Sequence, residues 1–267
     1  MTPARLAAII PARVNSSRLP GKALLEFYGL PMVEHVRRRA VLSRAFAEVA
    51  VATCDEPIAE AVRSFGGRVI MTAATHPGAL DRVAEAMRTL EATHVVNVQG
   101  DEILIPPDDL ARVARAVVSD PGVTAWNAAA PVVEQRELDD PSIVKLFVSR
   151  SGRIFHCARR CRETPVVPPR FEPLMQSVGI MAFTPASLEQ FLALPRTPLE
   201  TALGVDQLRL VEHDLPMHVV RLERAYPTIN EPREIPLVRA AFEHDPLQQR
   251  VLQQVLALDP RPMAVSR

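Results

Sequence analysis

Arg13, Arg18 and Lys22 lie close together in the run Ile9-Ile10-Pro11-Ala12-Arg13-Val14-Asn15-Ser16-Ser17-Arg18-Leu19-Pro20-Gly21-Lys22. Two guanidiniums and an ammonium on one loop are the side chains that hold phosphate-like anions. Here the loop follows an apolar stretch, Leu6 to Ile10, that reads as a buried strand broken at Pro11. A strand that runs into a cationic loop lets backbone N–H groups and charged side chains converge on one spot. The spacing is not that of a P-loop, because Ala23 follows Gly21-Lys22 and no Gly-x-x-x-x precedes it; nor does a Gly-x-Gly-x-x-Gly dinucleotide fingerprint occur anywhere. The competing reading is a surface loop whose charges are solvated.

Asp101 is the complementary group. Val95-Val96-Asn97-Val98-Gln99-Gly100-Asp101-Glu102 reads as a buried strand that ends in an acidic pair, with Gly100 allowing a sharp turn. A carboxylate facing an arginine–lysine loop suits a Mg²⁺ ion that holds a nucleoside triphosphate, since Mg²⁺ is bound by one or two carboxylates plus substrate phosphates. The plain alternative is a turn carboxylate that caps the next helix. Cys157 and Cys161, with His156 beside them, offer metal-ligating atoms but no second pair.

The elements that must position these groups alternate. Strands are expected at Leu6–Ile10, Glu48–Thr53, Arg68–Met71 and Thr93–Val98, and helices at Met32–Leu42, Pro57–Phe65, Asp81–Leu90 and Pro106–Val118. This βαβα order predicts an α/β fold with a mostly parallel sheet and helices on both faces. Ligands of such sheets bind beyond the carboxyl ends of the strands. The loops Pro11–Lys22, Cys54–Glu56, Thr72–Arg82 and Gln99–Glu102 are therefore expected to line one crevice. Further strands are expected at Thr124–Val132, Ile143–Val148, Arg153–Cys157, Gln176–Phe183 and His218–Leu222, with a long loop from Arg159 to Pro173. Helices are expected at Pro185–Ala193, Pro198–Val211, Glu234–Glu243 and Leu247–Leu258. The whole, 1–267, reads as one domain: a core of 1–122 and 185–258 with a β-rich lobe inserted at about 123–184.

The chain has 267 residues, a formal net charge of zero and 48% hydrophobic residues, enough for a sizeable core without the basic excess of a general nucleic-acid binder. The first apolar run is too short for a signal peptide or a membrane helix, and three cysteines fit a reducing compartment, so a cytoplasmic protein that binds neither nucleic acid nor membrane is expected.

Ile9 to Arg13, Ser16, Arg18 to Lys22, and Asn97 to Glu102 resemble the two signature motifs of the CMP-Kdo synthetases, the 3-deoxy-manno-octulosonate cytidylyltransferases. The likeness continues through Pro31 to Val36, Val51-Ala52-Thr53, His76 with Arg82, Val144-Lys145, Gly179-Ile180, Pro198-Leu199-Glu200, Gln207-Leu208-Arg209 and Asn230-Glu231-Pro232. It implies a nucleotidyl-transferase fold of Rossmann-like type, a homodimer, CTP as nucleotide and Mg²⁺ as cofactor. In that chemistry an acidic acceptor attacks the α-phosphorus of CTP, giving a CMP-conjugate and pyrophosphate. The resemblance assigns Pro11, Ala12, Arg13, Ser16, Arg18 and Lys22 to the nucleotide, Asp101 and Asn230 to the metal, and Gln99 to nucleotide or acceptor. It places Arg82, Arg159, Ser177 and Asp206 around substrate, with Arg13, Lys22 and Asp101 as the groups that carry catalysis.

The departures from the family pattern lie mainly at the acceptor end. Asn230 stands where the family usually has an aspartate, Ser177 where it has a histidine, Asp206 where it has a glutamate, and Ala73 where it has an arginine on the base side. The segment His76-Pro77-Gly78-Ala79-Leu80-Asp81-Arg82 lacks two hydroxyls of the family loop. Loss of one carboxylate makes the site more positive, which suits a more anionic acceptor. The acceptor is thus either a Kdo-like sugar acid or a phosphonate such as phosphonoformate, as in phosphonate biosynthesis, with Arg159, Arg160 and Arg162 available to hold it. A nucleotide-sugar pyrophosphorylase using another NTP, and a non-catalytic nucleotide-binding protein, are the alternatives.

Overall fold

A computed structural model describes residues 4–16, 18–161 and 173–258. Arg162 and most of the expected loop from Arg159 to Pro173 lie outside the described residues. The chain divides into two compact units: residues up to Ala114 together with those from Tyr226 onward, and Arg115–Ala225. The lobe expected at 123–184 falls inside the second unit, which also takes in the helices and strand that follow it.

In the first unit, β1 (Leu6–Pro11) is buried at every position. A short hairpin follows, β2 (Glu26–Phe27) against β3 (Leu30–Pro31), and leads into α1 (Met32–Leu42). Next come β4 (Glu48–Thr53), α2 (Glu56–Ser64), β5 (Arg68–Met71), α3 (Ala79–Met87), β6 (His94–Val98) and α4 (Pro107–Ser119), whose last residues from Arg115 are counted with the second unit. The strands run in the order β5-β4-β1-β6, all parallel, with Ile9 level with both Ala50 and Asn97. Near-continuous apolar strands of this kind belong to sheets covered by helices. The α/β expectation holds, and most expected element bounds fall within two residues of the observed ones. The hairpin was not expected; its turn at Tyr28-Gly29 has φ of 52° and 79°.

The second unit holds β7 (Ala125–Pro131), α5 (Gln135–Asp139), β8 (Lys145–Val148), β9 (Ile154–Ala158), β10 (Leu174–Phe183), α6 (Pro185–Ala193), α7 (Pro198–Leu203), α8 (Gln207–Glu212) and β11 (His218–Arg221). Its sheet is largely antiparallel: β10 pairs with β7 and β8, and β8 with β9, while β11 joins β7 in parallel. The single helix expected over 198–211 is two helices, because Gly204 adopts a left-handed φ of 59° and closes α7. Glu200, almost fully buried, holds both ends of this corner. It closes a capping box with Thr197 and receives Arg209 Nε at 2.9 Å. Burial alone would raise its carboxyl; bonds from Arg209 and Thr197 bring it below the ordinary range.

Two closing helices, α9 (Ile235–His244) and α10 (Pro246–Ala257), return to the first unit. Ile229, Val238, Phe242 and Leu252 pack with Phe27, Met32, Ile103 and Leu104. This apolar cluster carries the segment around Asn230 to the loop after β1.

α1 is unusual in burying Glu34, His35, Arg37, Arg38 and Arg39. Glu34 answers Arg37 and Arg38 at 2.6–2.7 Å, and Arg38 Nη1 donates to the Val255 carbonyl at 2.8 Å, which ties α10 to α1. His35 Nε2 donates to the Phe27 carbonyl at 2.7 Å, and burial lowers the imidazole pKa from 6.5 to about 4. The unfolded chain therefore takes up a proton between those values that the native state refuses. Stability is full above pH 6.5 and falls as pH drops toward 4, by about 3 kcal/mol at the limit. Urea unfolding at pH 7 and pH 4.5 is expected to show this loss in the wild type and a smaller loss in His35→Gln. Equal losses would mean that His35 is not buried in its neutral form.

Candidate active site

β1 and β6 are adjacent parallel strands, so the chain leaves both at the same edge of the sheet. Gly100 makes the approach possible: a Cβ there would stand 3.1 Å from the Pro11 carbonyl oxygen, tighter than a side chain ordinarily tolerates. The cationic loop is folded by its own backbone, with Ser16 and Gly21 both donating to the Val14 carbonyl at 2.9 and 2.8 Å. Gly21, at φ of 73°, turns the chain into a 3-10 turn, Lys22–Leu24. Ala12 N donates to the Ala52 carbonyl at 2.9 Å, and Val14 N to Asp55 Oδ2 at 2.8 Å.

The pocket that results is lined by Pro11, Ala12, Arg13, Ser16, Arg18 and Lys22 from this loop, and by Gln99, Gly100 and Asp101 from the end of β6. His76, Gly78, Ala79 and Arg82 form another wall, and Asn230 completes it. Three of the four loops expected at the crevice are there. The fourth is not: Cys54–Glu56 does not line the pocket, and Asp55 instead supports the cationic loop through Val14.

Lys22 Nζ contacts Asp101 Oδ2 at 2.7 Å and the Ile229 carbonyl at 3.2 Å, with both charged side chains four-fifths buried. Arg18 Nη2 donates to Asn230 Oδ1 at 2.7 Å, and Asn230 Nδ2 donates to Thr228 Oγ1 at 3.0 Å. Arg82 is buried and donates to Thr72 Oγ1. The described lining thus carries four cationic side chains and one carboxylate, an environment that favours a polyanion.

Among the described residues no group of three or more His, Cys, Asp or Glu side chains is placed to hold a metal. That donor set does not suit a protein-caged ion. It suits a magnesium ion carried by a triphosphate, for which Asp101 supplies the carboxylate and phosphates supply much of the rest. The oxygen of Asn230 already accepts from Arg18, a cation that a metal ion at the same oxygen would have to share it with or displace. The cysteine–histidine idea fails on geometry: Cys157 is buried, its thiol pushed up to about 12 by burial, while His156 is exposed on the other face of β9.

Of the remaining expected residues, Ser177, Asp206 and Arg159 belong to the second unit. Ser177 Oγ accepts from Asn127 Nδ2 at 3.0 Å, and Gln207 Nε2 donates to Asn127 Oδ1 at 2.7 Å. The fully buried Asn127, unforeseen, is the centre of this network. Asp206 precedes α8. Arg159 departs from its expected role. Its Nε and Nη2 donate to the Leu203 and Gly204 carbonyls at 2.9 and 2.7 Å, and Nη1 reaches those of Pro141 and Ser142 at 3.2 Å. A guanidinium so engaged braces the end of α7. The Lys145 ammonium is likewise bound to three carbonyls, of Asp140, Ile143 and Arg159.

The wall from His76 to Ala79 was legible only in part. α3 begins at Ala79, ahead of the expected Asp81, because its N-cap is Gly78, which offers no side-chain signal.

The cytidylyltransferase family model matches residues 7–217. A 3-deoxy-manno-octulosonate cytidylyltransferase of Rhodopseudomonas palustris (strain HaA2) is 37% identical over 247 residues, covering 90% of this chain and 98% of that protein. One from Geobacter metallireducens is 36% identical over 228 residues, covering 81% and 89%. Among solved structures, a CMP:2-keto-3-deoxy-manno-octonic acid synthetase complexed with CTP matches with a TM-score of 0.83 and 32% identity, covering 91% of this chain and all of that one. A cytidylyltransferase from Leptospira borgpetersenii, 17% identical with a TM-score of 0.65, shares the fold. No described helix is long and apolar enough to cross a membrane. The chain is a nucleotidyltransferase and belongs to the 3-deoxy-manno-octulosonate cytidylyltransferase family.

Proposed function

We propose that the pocket binds CTP with Mg²⁺ and transfers its cytidylyl group to a 3-deoxy sugar acid of the Kdo type, releasing pyrophosphate. The observation that carries this reading is the meeting of Lys22 and Asp101, cation and carboxylate, in a pocket whose other charged lining residues are Arg13, Arg18 and Arg82. The match over 7–217 spans both units, which supports treating the chain as one catalytic domain. The reading includes a homodimer.

The reaction needs little covalent help. An acceptor hydroxyl oxygen forms a bond to the α-phosphorus, the bond from that phosphorus to the bridging oxygen breaks, and pyrophosphate leaves; the hydroxyl proton passes to solvent. The protein's work is positioning and charge neutralisation. Arg13 and Arg18 hold the triphosphate from the loop, and Arg82 adds charge from α3. Lys22, released from Asp101, neutralises charge that develops on the leaving oxygens. Asp101 and, when freed from Arg18, Asn230 are the residues that would hold magnesium, which neutralises the phosphates when bound. Ser16, Gln99 and the backbone at Pro11-Ala12 line the pocket, and in this reading Gln99 touches nucleotide or acceptor. In this reading Ser177, with Asn127 and Gln207, and Asp206 serve the acceptor through neutral and acidic hydrogen bonding. No cysteine or serine acts as a nucleophile.

The Lys22→Ala enzyme is expected to lose roughly 10²–10³ in turnover, the scale of removing one preorganised charge-stabilising donor. A loss below about fivefold would return the loop to a solvated surface. Acceptor identity is read from pyrophosphate release with CTP and Mg²⁺. Release is expected with Kdo and not with phosphonoformate or 2-aminoethylphosphonate. Release with a phosphonate alone would overturn the sugar-acid reading and make Asn230 and Ser177 the marks of a different acceptor.

A further inference from the structure

The wall formed by His76 and the first turn of α3 has a polarity that the account above does not use. His76 lines the pocket, and its Nε2 lies within hydrogen-bond distance of Glu85 Oε2. The same oxygen accepts the Ala73 N–H at 2.9 Å, so one carboxylate fixes both the loop and the ring. The Ala73 N–H, then His76, hold the Glu85 carboxyl below its ordinary range.

A carboxylate can only accept hydrogen bonds. The ring nitrogen that faces it must carry a proton, so in the neutral imidazole Nδ1 is left with a lone pair. The groups beside His76 along this wall are donors. Arg82 is a guanidinium, and the N–H groups at the start of α3 have no partner within the helix. One acceptor among donors is the pattern that complements cytosine, which offers an amino group at C4 and acceptors at N3 and O2. Uracil offers an acceptor at C4 and a donor at N3, the reverse on both counts.

We propose that His76, held by Glu85 with its proton on Nε2, accepts a hydrogen bond from the base amino group and sets the preference for cytidine over uridine triphosphate. This rests on reading the pocket as a CTP site and names the side chain that gives that site its base selectivity. Glu85 is a positioning residue: it lies outside the pocket and acts by fixing the tautomer of His76. The Pro77-Gly78-Ala79 segment carries no side-chain hydroxyl or amide, so on this wall the imidazole supplies the side-chain acceptor, beside the donors of Arg82 and the backbone.

The test is the dissociation constants of CTP and UTP, each with magnesium chloride and no acceptor, for the full chain and its variants. The wild type is expected to prefer CTP. His76→Ala should weaken CTP about tenfold, the size of one hydrogen bond, and leave UTP within about twofold. Glu85→Leu, which frees the proton to move to Nδ1, should lower the CTP-to-UTP preference in the same direction with the pocket cations intact. His76→Gln retains an acceptor oxygen and should keep part of the preference. Equal weakening of both nucleotides by His76→Ala would overturn the proposal, because it would mean that the ring meets phosphate. An unchanged ratio in both His76→Ala and Glu85→Leu would overturn it as well. A wild type that binds neither nucleotide would instead remove the CTP reading on which the proposal stands.

Discussion

The contact between Lys22 and Asp101 is the constraint on which the rest of the site depends. Lys22 belongs to the loop after β1 and Asp101 to the turn after β6, and only parallel adjacency of those strands brings the two together. Gly100 eases the approach, because a Cβ there would press on the end of β1. The Ile229 carbonyl, which also receives Lys22, is held by the apolar packing of α9 and α10 against the β2–β3 hairpin and α1. A lone ammonium or carboxylate so far out of water would be costly; as a pair each stabilises the other. The pair also keeps both groups in place for a ligand that brings anion and cation together, such as a metal–triphosphate.

Much of this was legible in the sequence because strong local signals and the fold agree. β1, α1, β4 and β5 announce themselves by apolar runs and by prolines and glycines at their ends. The clustering of Arg13, Arg18 and Lys22 directly after a buried strand favours an anion site over a solvated surface loop. What was not legible depended on backbone conformation or on long-range bonding. The β2–β3 hairpin turns on Tyr28, a residue that carries no turn signal, at positive φ. The break between α7 and α8 hangs on one glycine in an otherwise helical pattern. Asp55 looked like a crevice residue because it ends a strand; its carboxylate is drawn beneath the loop by the Val14 N–H. Arg159 looked like an acceptor ligand because it is cationic and matches a family arginine, but four carbonyls claim it.

Ser177 shows how a changed residue is accommodated inside the second unit. Ser177 is shorter and uncharged compared with the histidine that the resemblance leads one to expect. It does not stand alone, since Asn127 and Gln207 close a neutral hydrogen-bond network around it. Buried polar groups are tolerated when each has a partner, and this set is well connected. In the first unit's pocket, Asn230 stands where the resemblance leads one to expect a carboxylate and is bound by Arg18, which leaves Asp101 as the one carboxylate in the described lining. The pocket is therefore more cationic than a two-carboxylate site would be.

The most direct test of the central claim follows the phosphorus atoms. The protein is supplied with Mg²⁺, Kdo and CTP labelled at either the α- or the γ-phosphorus. If the pocket around Lys22 and Asp101 transfers a cytidylyl group, the α-label appears in a new sugar-acid conjugate and the γ-label in pyrophosphate, in equal amounts and only when acceptor is present. A γ-label recovered as inorganic phosphate, or an α-label that stays with free nucleotide while CTP is consumed, would contradict it.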